Sequence, residues 1–238
     1  RNCLVGSEMC IRDRFYSGAF AFIEFKQSKD ISLDTEQARG INFKPDGTIM
    51  YVTNRLGINS DQEGQLIQYS LSTPFDISTA TKTSQKNLVH KNNAAVLFPH
   101  AIEFKPDGTK MFLASNNSQT SIYQYNLTTP WDSSTVVFEK RFQIGNSTES
   151  SLRTLSFKPD GTRMFTGGPN QGKIRAYILA NPWDLTSGVS LEAVSANLKT
   201  SSDTNFRNTQ FDTTGSIMYI MGSTNNNIHK YTLSTPWD

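Results

Sequence analysis

The sequence of 238 residues has few of the side chains that carry thiol and metal chemistry, with two cysteines and three histidines. Both cysteines, Cys3 and Cys10, lie in residues 1–14, which match none of the repeats described below, and we interpret that segment as a translated sequencing adaptor. A domain without these cysteines has no disulfide framework and no thiol nucleophile. The histidines do not have metal-ligand spacing, so the sequence predicts no metal and no cofactor.

Charge of one sign and long apolar runs are also scarce. Charged residues make up 18% of the chain and the formal net charge is +2. Binding to nucleic acid requires a strongly basic face, which this balance does not suggest. The longest apolar runs, 19–23 and 94–98, are far shorter than the roughly 20 residues that span a bilayer. We therefore expect neither a nucleic-acid partner nor a membrane span within these residues.

A turn motif that occurs four times is the most informative feature present. Its copies are FKPDGT at 43–48, 104–109 and 157–162, and FDTTGS at 211–216. A second motif, Pro-Phe-Asp or Pro-Trp-Asp, closes each copy at 74–76, 130–132, 182–184 and 236–238. The first Phe recurs at spacings of 61, 53 and 54 residues, the range of β-propeller blades. We expect an all-β propeller of four-stranded antiparallel blades, with repeats at about 39–98, 99–151, 152–205 and 206–238, the last incomplete.

Within each repeat, the Pro-Asp-Gly turn should join the first two strands, because Pro presets φ and Gly accepts a left-handed conformation. In the first repeat these strands are expected at Arg39–Phe43 and Ile49–Thr53, and a fourth strand is expected at Thr79–Leu88. The fourth strands of the next two repeats are expected at 136–144 and 189–198. A methionine column and a neighbouring aromatic column follow the turn in every copy, and we interpret both as packing between blades. The Asp of each closing motif should cap its own turn through an Asx hydrogen bond.

The second strand of the first repeat reads Tyr51-Val52-Thr53-Asn54 and follows the Pro-Asp-Gly turn. This segment resembles the YVTN family of β-propeller repeats and, more broadly, the WD-repeat-like superfamily. The likeness extends over 39–238, although the other copies read FLAS, FTGG and YIMG. It implies a radial, usually seven-bladed disc with a binding or structural role, which is an inference from fold by analogy.

The two ends of the chain bear on whether the ring closes. Residues 15–38, and Phe20–Leu33 in particular, are predicted to be the outer strand of a preceding blade and its connection. Because both ends fall in the middle of a repeat, we favour an arc of a larger propeller. Pairing of Phe20–Leu33 with Asn227–Leu233 would instead close a four-bladed ring.

One column of residues is basic in every repeat, four positions before the turn Phe. Its members are Arg39, His100, Arg153 and Arg207. The column opens the first strand, which is the strand nearest the axis of a propeller. Guanidinium groups around an axial opening would bind carboxylate, phosphate or sulfate. The alternative is a structural column in which each side chain bonds to the neighbouring blade.

These features favour a non-enzymatic binding module of a larger surface, secreted or virion-associated protein. Its partner would be a protein, a glycan or a small anion on the loop face, and an extracellular or cell-surface location is favoured. The alternative is a lactonase-like hydrolase, because Pro99-His100 partly resembles the basic-His pair of propeller lactonases. The loop Arg55–Gly64 contains Asn59, Asp61 and Glu63, which leaves a calcium site open as a further alternative.

Overall fold

The computed structural model describes residues 26–55, 64–116, 119–145, 147–198, 205–224 and 226–238. Over these residues the chain forms fifteen β-strands in four antiparallel sheets. Three sheets have four strands and the last has three, and the strands of each sheet follow one another in sequence order. The predicted adaptor segment 1–14, residues 15–25 and the interior of the Arg55–Gly64 loop lie outside the described residues.

Each sheet corresponds to one predicted repeat and is called a blade here. Blade 1 consists of β1 (Gln37–Phe43), β2 (Ile49–Arg55), β3 (Gly64–Leu71) and β4 (Ala80–Asn87). Blade 2 consists of β5 (Pro99–Phe104), β6 (Lys110–Ser115), β7 (Ser121–Leu127) and β8 (Val136–Gln143). Blade 3 consists of β9 (Thr154–Phe157), β10 (Arg163–Gly168), β11 (Lys173–Asn181) and β12 (Asp184–Val194). Blade 4 consists of β13 (Phe206–Phe211), β14 (Ile217–Gly222) and β15 (Ile228–Thr232). The predicted all-β propeller with four repeats is confirmed.

The two repeated motifs meet in space within each blade. In blade 2 the backbone N–H of Trp131 donates to the carbonyl of Gly108, at 3.1 Å. Gly108 has φ +74°, and a Cβ there would lie 2.4 Å from the indole ring of Trp131. The turn glycine is therefore required twice, for its left-handed backbone and for the close approach of the ring. The same pair of contacts occurs in all four blades, at Gly47–Phe75, Gly108–Trp131, Gly161–Trp183 and Gly215–Trp237.

The closing Asp caps its own turn, as predicted. The carboxylates of Asp76, Asp132 and Asp184 accept hydrogen bonds from the backbone N–H two residues later, at 3.0, 2.9 and 2.8 Å. In blades 1 and 2 a 3-10 turn follows and the outer strand begins after it. In blade 3 the outer strand begins at Asp184, not at 189 as expected. There Asp184 pairs directly with Asn181, so that a tight hairpin replaces the 3-10 turn.

Aromatic side chains join consecutive blades. Phe112 of blade 2 is fully buried, and its ring centroid lies 4.6 Å from that of Phe157 and 5.9 Å from that of Trp183, both in blade 3. Phe165 of blade 3 lies in the same way against Phe211 and Trp237 of blade 4. The aromatic column therefore packs between blades, as predicted.

This column ends in an uncovered face on blade 4. Tyr219, Met221 and Ile228 are 38%, 47% and 70% exposed. Their equivalents in blade 1, Tyr51, Thr53 and Leu66, are fully buried against blade 2. Residues 26–33 form no strand, and within the described part of the chain β15 is the edge of its sheet. The ring-closing pair is therefore absent from these residues, and an arc of a larger disc stays a prediction.

Residues 26–36 serve as the connection that leads into blade 1. Ile31 packs against the core formed by Met50 and Tyr69, among others. The carboxylate of Asp34 accepts a hydrogen bond from the Tyr69 hydroxyl at 3.0 Å and pairs with the Lys82 ammonium at 2.7 Å. No helix in the described part of the chain is long and apolar enough to cross a membrane.

Candidate functional site

The inner strands β1, β5, β9 and β13 surround a cavity of about 440 Å³ on the propeller axis. All four residues of the predicted basic column line it: Arg39, His100, Arg153 and Arg207. The structure therefore brings together side chains that are up to 168 positions apart in sequence. The inner strand of each blade lies nearest the propeller axis, so the side chains at the start of the four inner strands converge there.

A close contact between β1 and β5 sets the spacing on one side of the cavity. A Cβ at Gly40 would lie 2.1 Å from the carbonyl oxygen of His100, so only glycine allows this approach. The Thr53 hydroxyl joins the two strands, because it accepts from the Gly40 N–H at 2.8 Å and donates to the His100 carbonyl at 3.0 Å. Arg39 and His100 are thereby held beside each other at the cavity wall.

The basic side chains are oriented by neutral groups. The Arg39 guanidinium donates to Gln37 Oε1 at 2.6 Å, and Arg207 Nε donates to Ser223 Oγ at 2.9 Å. Arg153 Nε donates to Ser151 Oγ at 3.2 Å, and its Nη1 lies 3.2 Å from His100 Nε2. Among the described residues, none of the four basic side chains forms an ion pair within 4 Å. No described carboxylate pairs with them directly, although Glu103 lines the same cavity and the charge of Glu149 acts on Arg153.

Burial is the main cause of the lowered pKa values of these basic groups, and repulsion between their charges adds to it. Burial, followed by the charges of Arg207 and Arg39, lowers the pKa of Arg153 to about 10. Burial and then the Arg153 charge lower the pKa of His100 to about 3, so His100 is neutral at physiological pH. Burial lowers the pKa of Arg39, and the charges of Arg55 and Arg207 lower it further. A bound anion would relieve this repulsion.

Arg55 is a basic neighbour that the sequence analysis missed. Its guanidinium lies over the ring of Phe98, 4.1 Å from the centroid, and its charge acts on both Arg39 and His100. Arg55 falls outside the repeated column, at the end of β2. The only sequence signal was its place in the loop face next to that column.

A second, polar layer crosses the axis one residue before each turn Phe. Its members are Asn42, Glu103, Ser156 and Gln210. On the far side lies a second cavity of about 400 Å³, walled by the turn phenylalanines and the three tryptophans. The axis therefore passes from a basic cavity through a polar layer to an aromatic one. This layer leaves no repeated signal in the sequence, because its four members share polarity but not residue type.

Glu103 is the acidic member of the polar layer. Burial raises the pKa of its carboxyl to about 7. Its nearest described polar partner is the Asn42 amide, whose Nδ2 lies 3.5 Å from Oε2 and donates to the Ile102 carbonyl at 3.2 Å. No group of three or more His, Cys, Asp or Glu residues that could hold a metal occurs within the described segments.

The blades and their axial cavity define the chain as a β-propeller protein. No family model and no curated protein matches it, so the likeness to the YVTN family stays a prediction. Solved structures share the fold at low sequence identity. They include a candidate 6-phosphogluconolactonase from Bacteroides uniformis (TM-score 0.56, 13% identity, 82% of this chain and 50% of that one). They also include the Cps50 (Swd1) β-propeller domain of Myceliophteria thermophila (TM-score 0.52, 9% identity, 83% and 54%).

A third similar structure is hydrazine synthase from Kuenenia stuttgartiensis, with a TM-score of 0.57, 10% identity and coverage of 82% of this chain and 58% of that one. The chain thus spans between 50% and 58% of the lengths of these three structures. At such identities the likeness establishes the propeller fold, and the chemistry must be argued from the axial residues themselves.

Proposed function

We propose that this chain is a β-propeller binding module that takes an anionic ligand in its axial cavity. The observation that carries the proposal is the convergence of Arg39, Arg153 and Arg207 on one cavity, where none of them forms an ion pair with a described carboxylate. Guanidinium groups present forked donors that match carboxylate and phosphate oxygens. The ligand can be a small free anion or an acidic group of a protein or glycan.

A thermal-unfolding experiment tests this proposal. Phosphate or citrate, added at constant ionic strength, should stabilise the protein, by about 2.7 kcal/mol at a hundredfold excess over the dissociation constant. Arg153→Gln and Arg207→Gln should abolish most of this stabilisation, and their effects should be non-additive because both contact one ligand. Arg141→Gln is the matched control, since Arg141 lies on β8 and donates to Ser121 and Gln119 away from the axis.

The same variants separate binding from a purely structural role. If the column binds anions, each substitution relieves repulsion, and the anion-free variant should be at least as stable as the wild type. A structural column would give the opposite pattern, with each variant less stable and no dependence on added anion. Absence of an anion-dependent shift in the wild type would overturn the proposal.

A hydrolase related to propeller lactonases is the second candidate, and Glu103 is the observation that favours it. An enzyme needs unlike groups around one point, and Glu103 is a single carboxyl in an otherwise basic and neutral cavity. A carboxyl with a pKa of about 7 suits a general base at neutral pH. Hydrolysis of sugar lactones that is lost in Glu103→Gln and His100→Ala would establish this activity. If the wild type hydrolyses no sugar lactone, the hydrolase proposal fails and the binding-module proposal stands.

A further inference from the structure

The axial cavity has two chemically different ends, the basic layer and the polar layer. The inference drawn here rests on the anion site proposed at the basic end. The basic layer and the polar layer are three positions apart on each inner strand, roughly 10 Å along an extended chain. Arg39 and Asn42 on β1 line the same cavity, as do His100 and Glu103 on β5. A ligand held by one end is therefore within reach of the other.

This shared orientation needs a specific backbone feature. In a regular strand, residues three positions apart point to opposite faces. The pairing of β1 with β2 shifts between Ala38 and Ile41, and that of β5 with β6 shifts between Pro99 and Ile102. A bulge of this kind re-aims the side chains that flank it. Because each shift includes the basic-layer residue, Arg39 or His100, that residue lines the same cavity as Asn42 or Glu103 on its own strand.

The polar layer offers hydrogen-bonding capacity that the fold uses only in part. The Glu103 carboxyl has one long contact, 3.5 Å from the Asn42 amide. The Gln210 amide donates to the Phe211 carbonyl at 3.4 Å through Nε2, and its Oε1 is a separate acceptor. A carboxyl that titrates near neutral pH both donates and accepts, as does a ligand hydroxyl group.

We propose that the cavity selects hydroxylated organic acids, with the anionic group on the basic layer and a hydroxyl group on Glu103, Asn42 and Gln210. The roughly 10 Å between the layers fits an extended chain of about six carbons better than a short hydroxy acid. The cavity, at about 440 Å³, lies within the usual range for small-molecule sites. Selection arises because an analogue without hydroxyl groups leaves the polar layer unpaired.

Glucarate and adipate test this proposal, since both are six-carbon dianions and only glucarate carries hydroxyl groups. Isothermal titration of the whole chain at pH 6 and constant ionic strength should show at least tenfold tighter binding of glucarate. Glu103→Ala should reduce this preference to about threefold or less. Glu192→Ala is the control, because it removes a carboxyl from the outer strand β12, where Glu192 pairs with Arg163.

The outcomes separate this inference from the proposed function. If phosphate and adipate bind but glucarate binds no tighter, the hydroxyl selection is overturned and the anion site stands. If no anion binds, the anion site itself fails, and the inference fails with it. If Glu103→Ala does not fold, as judged by circular dichroism, the comparison of glucarate with adipate on the wild type still decides.

Discussion

Tyr51 and Tyr219 are equivalent residues of the aromatic column, in blades 1 and 4. Replacing each of them by alanine therefore compares a blade face that is covered with one that is not. Tyr51 is fully buried, its ring centroid lies 4.3 Å from that of Phe104, and its hydroxyl donates to the Trp131 carbonyl at 2.5 Å. Tyr219 is 38% exposed. We expect Tyr51→Ala to lower the free energy of unfolding far more than Tyr219→Ala does.

The magnitudes follow from burial. Replacing a fully buried large aromatic residue by alanine costs about 3–5 kcal/mol, and losing a buried hydrogen bond adds about 1 kcal/mol. Tyr51→Ala should therefore cost about 4 kcal/mol or more, which corresponds to a fall in melting temperature of roughly 10 °C. Tyr219→Ala should cost about 1 kcal/mol, because much of its ring already contacts water.

Urea unfolding followed by tryptophan fluorescence and by circular dichroism measures both changes. Tyr51→Phe separates the hydroxyl from the ring and should account for only about 1 kcal/mol of the loss. Equal losses in Tyr51→Ala and Tyr219→Ala would refute the reasoning, because they would mean that the blade 4 face is covered in solution.

Three further outcomes follow from the described contacts. Gly108→Ala should lower the melting temperature strongly and Gly145→Ala much less, because both glycines have positive φ but only Gly108 lies under an indole ring. Similar melting temperatures of the two variants would exclude the ring contact as the cause. The Lys44 ammonium and then Thr48 lower the pKa of Asp46 from 3.8 to about 2, so the contribution of Asp46 to stability is present above about pH 4 and is lost as pH falls toward 2. Asp46→Asn should therefore lose less stability than the wild type over this range. An unchanged dependence of stability on acid pH in the variant would contradict this prediction. Burial raises the pKa of Glu103 from 4.5 to about 7, so the contribution of Glu103 to stability is fully present below about pH 4.5 and is lost as pH rises through 7. The stability of Glu103→Gln relative to the wild type should therefore rise between these pH values. A difference that does not change with pH would mean that Glu103 is solvated.

The parts of the fold that could be predicted from sequence are those with repeated identity. The turn glycines and closing aromatic residues recur because each repeat needs the same left-handed turn and the same ring over it. The basic column was predicted for the same reason, since Arg39, Arg153 and Arg207 share a residue type as well as a position. Their convergence on one cavity follows directly from the propeller geometry.

The polar layer and the start of β12 could not be predicted, because they depend on pairing between strands and not on the residue type at one position. Asn42 and Glu103 have unlike side chains, and they share a cavity with the basic column through bulges in β1 and β5 that are set by pairing with the next strand. The early start of β12 likewise depends on a direct pair between Asn181 and Asp184. Cross-strand register of this kind is set by tertiary contacts and leaves a weak local signal.

The hydrogen bond between each closing aromatic residue and its own turn glycine also bears on the order in which the molecule assembles. Because Gly108 and Trp131 belong to the same blade, this contact forms without any neighbouring blade and closes a short loop at low entropic cost. We expect docking of blades through Phe112 to be a later and separable event. If the blades form and dock in this order, hydrogen-exchange protection should decline toward blade 4, whose outer face has no neighbour among the described residues.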